Sequence, residues 1–194
     1  MPPKGVKTVS DLIYWQYAKI ISDSAGFGKK NYAFVMQKFK ELQQGDIFWN
    51  KIREYIKERE KTNECIFCSK KEDLTIEHLL PRFYNGPDEE KNIIWICKTC
   101  NSIKGSKRLY EFWTIKEGLE GAKYTLPRIA EGKYLKFLFT YLKDNKLLDL
   151  QISQIIDEIC PQCDLKTLCI LENSQGQLSP LCLDGLITLC FKGK

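Results

Sequence analysis

The chain has 194 residues, enough for one ordinary domain or a small core with appendages. Hydrophobic residues make up 43% and charged residues 28%, and no apolar run approaches the roughly 20 residues that cross a bilayer, which excludes a membrane-spanning helix. Thirty basic against 25 acidic residues leave a net charge of +5, which favours a polyanionic partner only mildly.

The opening stretch from Met1 to Ser10 lacks the continuous apolar run of a secretory signal, so the expected location is the cytoplasm. Nine cysteines in a reducing compartment point to metal or redox chemistry ahead of a disulfide framework. Their odd number allows two sites of four ligands with one thiol left over.

In chain order, Leu12, Ile13, Trp15, Tyr17 and Ile20 recur near a 3.6-residue period and predict a first helix, with Ser10 or Asp11 placed to cap it. Ser24 to Gly28 breaks the pattern. Tyr32, Phe34, Val35, Phe39 and Leu42 then predict a second helix ending near Gly45. Asp46 is placed to cap a third, with Ile47, Phe48, Ile52, Tyr55 and Ile56 facing inward and Lys51, Arg53, Lys57, Arg59 and Lys61 in water. From Asn63 the texture changes. Leu74 to Ile76 and Asn92 to Ile96 read as two strands separated by a loop that holds Pro81, Asn85, Gly86 and Pro87, and a helix is expected to begin near Cys100. Tyr134 to Leu150 predicts a buried helix, and Cys160 to Lys194 mixes cysteines with turn-forming residues.

The fold class is therefore expected to be α+β. A small central core at 63–112 would lie between mostly helical extensions at 1–62 and 113–194, the second ending in a Cys-rich, metal-stapled tail. Gly26-Phe-Gly28-Lys-Lys30 lacks the glycine-to-lysine spacing of a nucleotide-binding loop and reads as an ordinary turn.

Cys65-x2-Cys68 and Cys97-x2-Cys100 are two knuckles 28 residues apart, a form that lets four thiolates meet one structural zinc. They enclose Glu77-His78, which holds the only histidine of the chain, and Asn92, and Asn101 follows the last of these cysteines directly. With Leu74-Thr-Ile-Glu-His-Leu-Leu-Pro-Arg82, Asn92-Ile-Ile-Trp-Ile-Cys97 and Cys100-Asn101-x2-Lys104-Gly105, this pattern resembles the HNH endonucleases with their ββα-metal core.

The resemblance implies a role for each matching position. His78 would be the general base that takes a proton from water, and Asn92 would tether the loop that orients it. Glu77 and Asn101 would hold one catalytic Mg²⁺ or Mn²⁺. Glutamate stands where aspartate is commoner, and Asn101 stands where the family's name calls for histidine. Both changes keep an oxygen donor and so favour a hard cation. Asp88, Glu89 and Glu90 read as solvated loop. Arg82, Lys98, Lys104, Lys107 and Arg108 would form a phosphate track for nucleic acid, whereas Tyr110, Phe112 and Trp113 read as core.

Cys160-x2-Cys163-x5-Cys169, with Cys182 as fourth ligand and Cys190 spare, fits a second zinc and a [4Fe-4S] cluster equally well. Its first three positions are similar to the iron-sulfur staple of endonuclease III-type glycosylases. The function implied is metal-dependent hydrolysis of DNA phosphodiester bonds, with double-stranded DNA as partner and a homodimer as a route from nick to double-strand break. The alternatives are a zinc-clipped nucleic-acid-binding or partner-binding module with a degenerate nuclease site, and a nuclease directed at RNA.

Overall fold

The structure is a computed structural model and describes residues 3–47, 62–170 and 178–192. Helix α1 spans Val9–Ser24 and α2 spans Tyr32–Gln44. The cap of α1 is Thr8, not Ser10 or Asp11. Thr8 Oγ1 accepts from the Asp11 N–H at 3.2 Å and Asp11 Oδ2 accepts from the Thr8 N–H at 3.1 Å, a reciprocal pair that starts the helix two residues early. Asn31 caps α2, and Gly45 closes it in the left-handed region at φ 76°, where a side chain would be strained. The third helix expected after Asp46 falls on residues 48–61 and lies outside the described residues.

Strands β1 (Leu74–His78) and β2 (Ile93–Cys97) pair antiparallel, with Leu74 opposite Cys97 and His78 opposite Ile93. Ile94 and Ile96 turn inward and are buried, while Ile76 on β1 is half exposed. Two strands alone hold poorly in water. This pair is covered by α3 (Lys98–Lys104), which begins directly at the end of β2 and packs on both strands.

Helix α4 (Leu109–Thr125) follows and bends at Gly118. It carries Tyr110, Phe112 and Trp113 into the core, as the sequence indicated. Phe67 of the first knuckle packs on Phe112 and Trp113 with ring centroids 5.0 and 5.4 Å apart, which seats the knuckle on α4. Helix α5 (Arg128–Asp144) starts before Tyr134 and stops short of Leu150, because Leu147 to Leu150 turn back to bond the start of α1. Val9 and Ser10 donate to the carbonyls of Leu150 and Leu148.

The tail comprises one turn, α6 (Ile152–Gln154), a wide helical turn at Ile155–Ile159, α7 (Lys166–Ile170) and α8 (Leu181–Lys192). Helix α8 was not foreseen. Its Leu183, Leu186 and Ile187 are buried in the same apolar core as Trp15, Phe39, Phe112 and Leu138. Among the described residues, no helix is long and apolar enough to cross a membrane.

Candidate active site and cysteine quartets

Cys65, Cys68, Cys97 and Cys100 converge so that their four sulfurs lie within 4.8 Å of one another. Cys68 Sγ and Cys97 Sγ are 3.7 Å apart, and Zn–S bonds of about 2.3 Å in a tetrahedron set sulfurs about 3.8 Å apart. The first knuckle is shaped by a tight turn, in which Cys65 N–H donates to Lys70 O and Ser69 N–H donates to Cys65 O. The second grows from the β2 to α3 junction, where the Cys100 N–H points at Cys97 Sγ. Burial would raise the Cys97 thiol, yet that N–H and the neighbouring thiols bring it down to about 7. The same crowding and burial push Cys68 and Cys100 up. A set of four sulfur donors in which one thiolate already forms easily fits a soft, tetrahedral metal such as zinc.

Glu77 and His78 end β1, opposite Ile94 and Ile93 and at the other end of the strand pair from Cys97. Glu77 Oε1 accepts from Lys104 Nζ at 2.7 Å, and no described residue takes Oε2. His78 Nε2 is 2.5 Å from Asp88 Oδ1, and the Arg82 guanidinium grips both oxygens of Asp88 at 2.8 and 3.0 Å. The Arg82 and His78 contacts hold the Asp88 carboxyl below its usual range. An ionised carboxylate can only accept, so a neutral imidazole bonded to it would carry its proton on Nε2 and leave Nδ1 as the lone-pair nitrogen.

The loop between the strands is closed by Asn92, which is buried. Its side chain accepts from the Leu80 N–H at 2.8 Å and donates to the carbonyls of Leu80 and Pro87, both at 3.0 Å. Gly86 lies so close that a Cβ there would sit 1.8 Å from Leu80 O. These contacts fix the path from His78 to Asp88. Asn101 stands on α3 three residues before Lys104, the residue that bonds Glu77.

Two residues expected on the phosphate track are not on the surface. Lys104 has a fully buried side chain, because α3 is pressed between the sheet and the core and its ammonium is spent on Glu77. Arg108 is buried too. It donates to Glu111 at 3.0 Å, to Asp164 at 2.8 and 3.2 Å and to the Asp184 carbonyl at 3.0 Å, and it lies over the Tyr84 ring. It therefore joins the loop after β1, the start of α4 and the tail. Arg82 and Lys98 remain exposed, and Lys107 is half-buried with its ammonium donating to the Ile103 carbonyl at 3.1 Å. In the turn after α1, Lys29 is buried in an ion pair with Glu131 at 2.8 Å, so that segment anchors α5.

Asp88 is the residue that sequence reasoning passed over. It is exposed, as a solvated loop residue should be, but it is also the partner of the one histidine. Its signal was its place after Gly86-Pro87, where a forced turn brings the chain back to β1. Cys160, Cys163, Cys169 and Cys182 are brought together around one cavity in the tail, and the side chain of Cys190 lies outside the described residues.

No curated protein and no solved structure matches the chain. Residues 65–112 match the family model described as HNH endonuclease. The matched segment contains the first quartet, both strands, α3 and the first turn of α4. Over this central segment the chain is similar to the HNH endonucleases, a family that implies nuclease chemistry.

Proposed function

We propose that the chain is a metal-dependent endonuclease that hydrolyses DNA phosphodiester bonds, with a ββα-metal unit formed by β1, β2 and α3. One observation carries this reading: Glu77 and His78 stand side by side at the end of β1, each gripped by its own charged partner, Lys104 and Asp88. A carboxylate and an imidazole oriented in this way suit metal-assisted hydrolysis better than a merely structural knuckle.

His78 takes the proton of the attacking water at Nδ1, and Asp88 steadies the imidazolium that forms. Glu77, through Oε2, and Asn101 offer hard oxygen donors for one Mg²⁺ or Mn²⁺. An ion held there supplies positive charge for the scissile phosphate and the departing 3′ oxygen, leaving a 5′ phosphate product. Lys104 keeps the Glu77 carboxylate turned toward α3. Asn92 holds the loop so that Asp88 stays on His78. Arg82, Lys98 and Lys107 give the surface around the site its positive charge for the backbone of the nucleic acid. The four-cysteine zinc is structural. The flanking segments 1–62 and 113–194 add affinity, and a homodimer would convert a nick into a double-strand break.

The test is incubation of supercoiled plasmid, and separately of a structured RNA, with Mg²⁺, with Mn²⁺ and with EDTA. Plasmid cleavage that needs the divalent ion supports the proposal. Plasmid binding without cleavage would leave a binding module in its place, and cleavage of the RNA alone would move the substrate to RNA.

A further inference from the structure

A cavity of about 300 Å³ lies in the tail, walled by apolar side chains such as Ile155, Ile159 and Leu181. Four cysteines line it from three pieces of chain: Cys160 and Cys163 from one turn, Cys169 from α7 and Cys182 from α8. Cys163 Sγ presses on α8 where a Cβ at Gly185 would come within 2.7 Å of it, so a glycine is what lets this sulfur face the cavity. Next to it, Asp164 is tied to Arg108 at 2.8 Å, and Arg108 bonds the carbonyl of Asp184, the neighbour of Gly185. The mouth of the cavity is thereby braced against α4.

The two cysteine quartets differ in spread. One zinc draws its sulfurs to about 3.8 Å from one another, and Cys65, Cys68, Cys97 and Cys100 are gathered that tightly. In the tail quartet no three of the sulfurs lie within 4.8 Å of one another, although all four belong to the described residues. Each thiolate of a [4Fe-4S] cube binds a different iron at its own corner, so its sulfurs stand well apart around a central volume. Cys169 and Cys182 touch each other, but the four thiols together line a cavity of about 300 Å³ that leaves more room than a single zinc fills, and its apolar walls would keep water from the sulfides.

We propose that Cys160, Cys163, Cys169 and Cys182 hold one [4Fe-4S] cluster that staples the tail to α4. The cluster is structural and takes part in no step of the hydrolysis. None of the readouts below uses nuclease activity, so this proposal and the nuclease reading fail separately.

The full chain is purified without oxygen and assayed for iron, acid-labile sulfide and zinc, alongside Cys169→Ser, Gly185→Ala and Cys68→Ser. Four irons with four sulfides and one zinc per wild-type chain are expected. Cys169→Ser should lose the iron and keep the zinc, which also reports that the central unit still folds. Gly185→Ala should lower iron content by driving against Cys163, and Cys68→Ser should lose zinc and keep iron. Two zincs per chain without sulfide would overturn the cluster. So would a chain that takes up neither iron nor sulfide on anaerobic reconstitution with ferrous iron, sulfide and thiol, or iron that leaves with Cys68 and stays without Cys169.

Discussion

Asp88 Oδ1 lies 2.5 Å from His78 Nε2, ten residues further along the chain and on the far side of a loop closed by Asn92. In the proposed mechanism the contact holds the imidazole proton on Nε2 and leaves Nδ1 to act as the base. Asp88→Ala should therefore lower plasmid cleavage about 10-fold to 100-fold, the range found when the partner that orients a working histidine is removed. Plasmid affinity should stay near the wild-type value. Unchanged initial rates would remove Asp88 from the account.

The buried Lys104 to Glu77 pair makes a different kind of prediction. Lys104→Met leaves the mostly buried Glu77 carboxylate without its partner and should destabilise the chain by about 3 kcal/mol, as broken buried pairs do. Adding Glu77→Gln removes the stranded charge and should recover much of that loss. Cleavage should not return, because glutamine lacks the negative charge that the Glu77 carboxylate brings to the cation. Thermal melts of the two single variants and the double variant give the coupling directly, and additive losses would show that the pair does not act as a unit.

Asn92 satisfies three backbone groups of the loop between the strands. Asn92→Ala would leave buried polar groups of Leu80 unpaired, at a cost of about 1–3 kcal/mol. Gly86→Ala forces the loop off Leu80 altogether. In both variants limited proteolysis should cut between Leu80 and Asn92 well before the wild type is cut there. Equal protection would mean that the loop is held by something other than this amide.

If the first quartet is a closed zinc site, stripping the metal should unfold the central unit, since such sites contribute folding energy outright. A strong chelator is expected to lower the melting temperature and release one zinc, with Cys97 the first thiol to react near neutral pH because its thiolate forms most easily. A melting curve indifferent to the chelator would contradict a structural role.

The central unit was legible because its chemistry is local. Paired cysteines, Glu77-His78, Asn92 and Asn101 sit within a short span, and the β-branched run Ile93–Ile96 marks a strand beside them. What could not be read was partner choice over distance. Lys104 and Arg108 look like surface cations in a sequence, and only the packing of α3 and α4 shows that their charges are used on Glu77, Glu111 and Asp164. Asp88 had the opposite fate, since its acidic neighbours Glu89 and Glu90 made it look like ordinary solvated loop. Helix α8 escaped notice because its Gly185 and two cysteines imitate the turn-rich texture of the tail, while the apolar residues that bury it, Leu183, Leu186 and Ile187, pack on distant parts of the chain.

The central claim is that His78 is the base of a metal-dependent nuclease. It is tested most directly by comparing initial rates of supercoiled plasmid cleavage for the wild type and for His78→Ala, in Mg²⁺, at matched fold and zinc content. The account predicts a loss of roughly 100-fold or more with plasmid binding retained, the scale of general-base catalysis. Equal cleavage by the two proteins would contradict it.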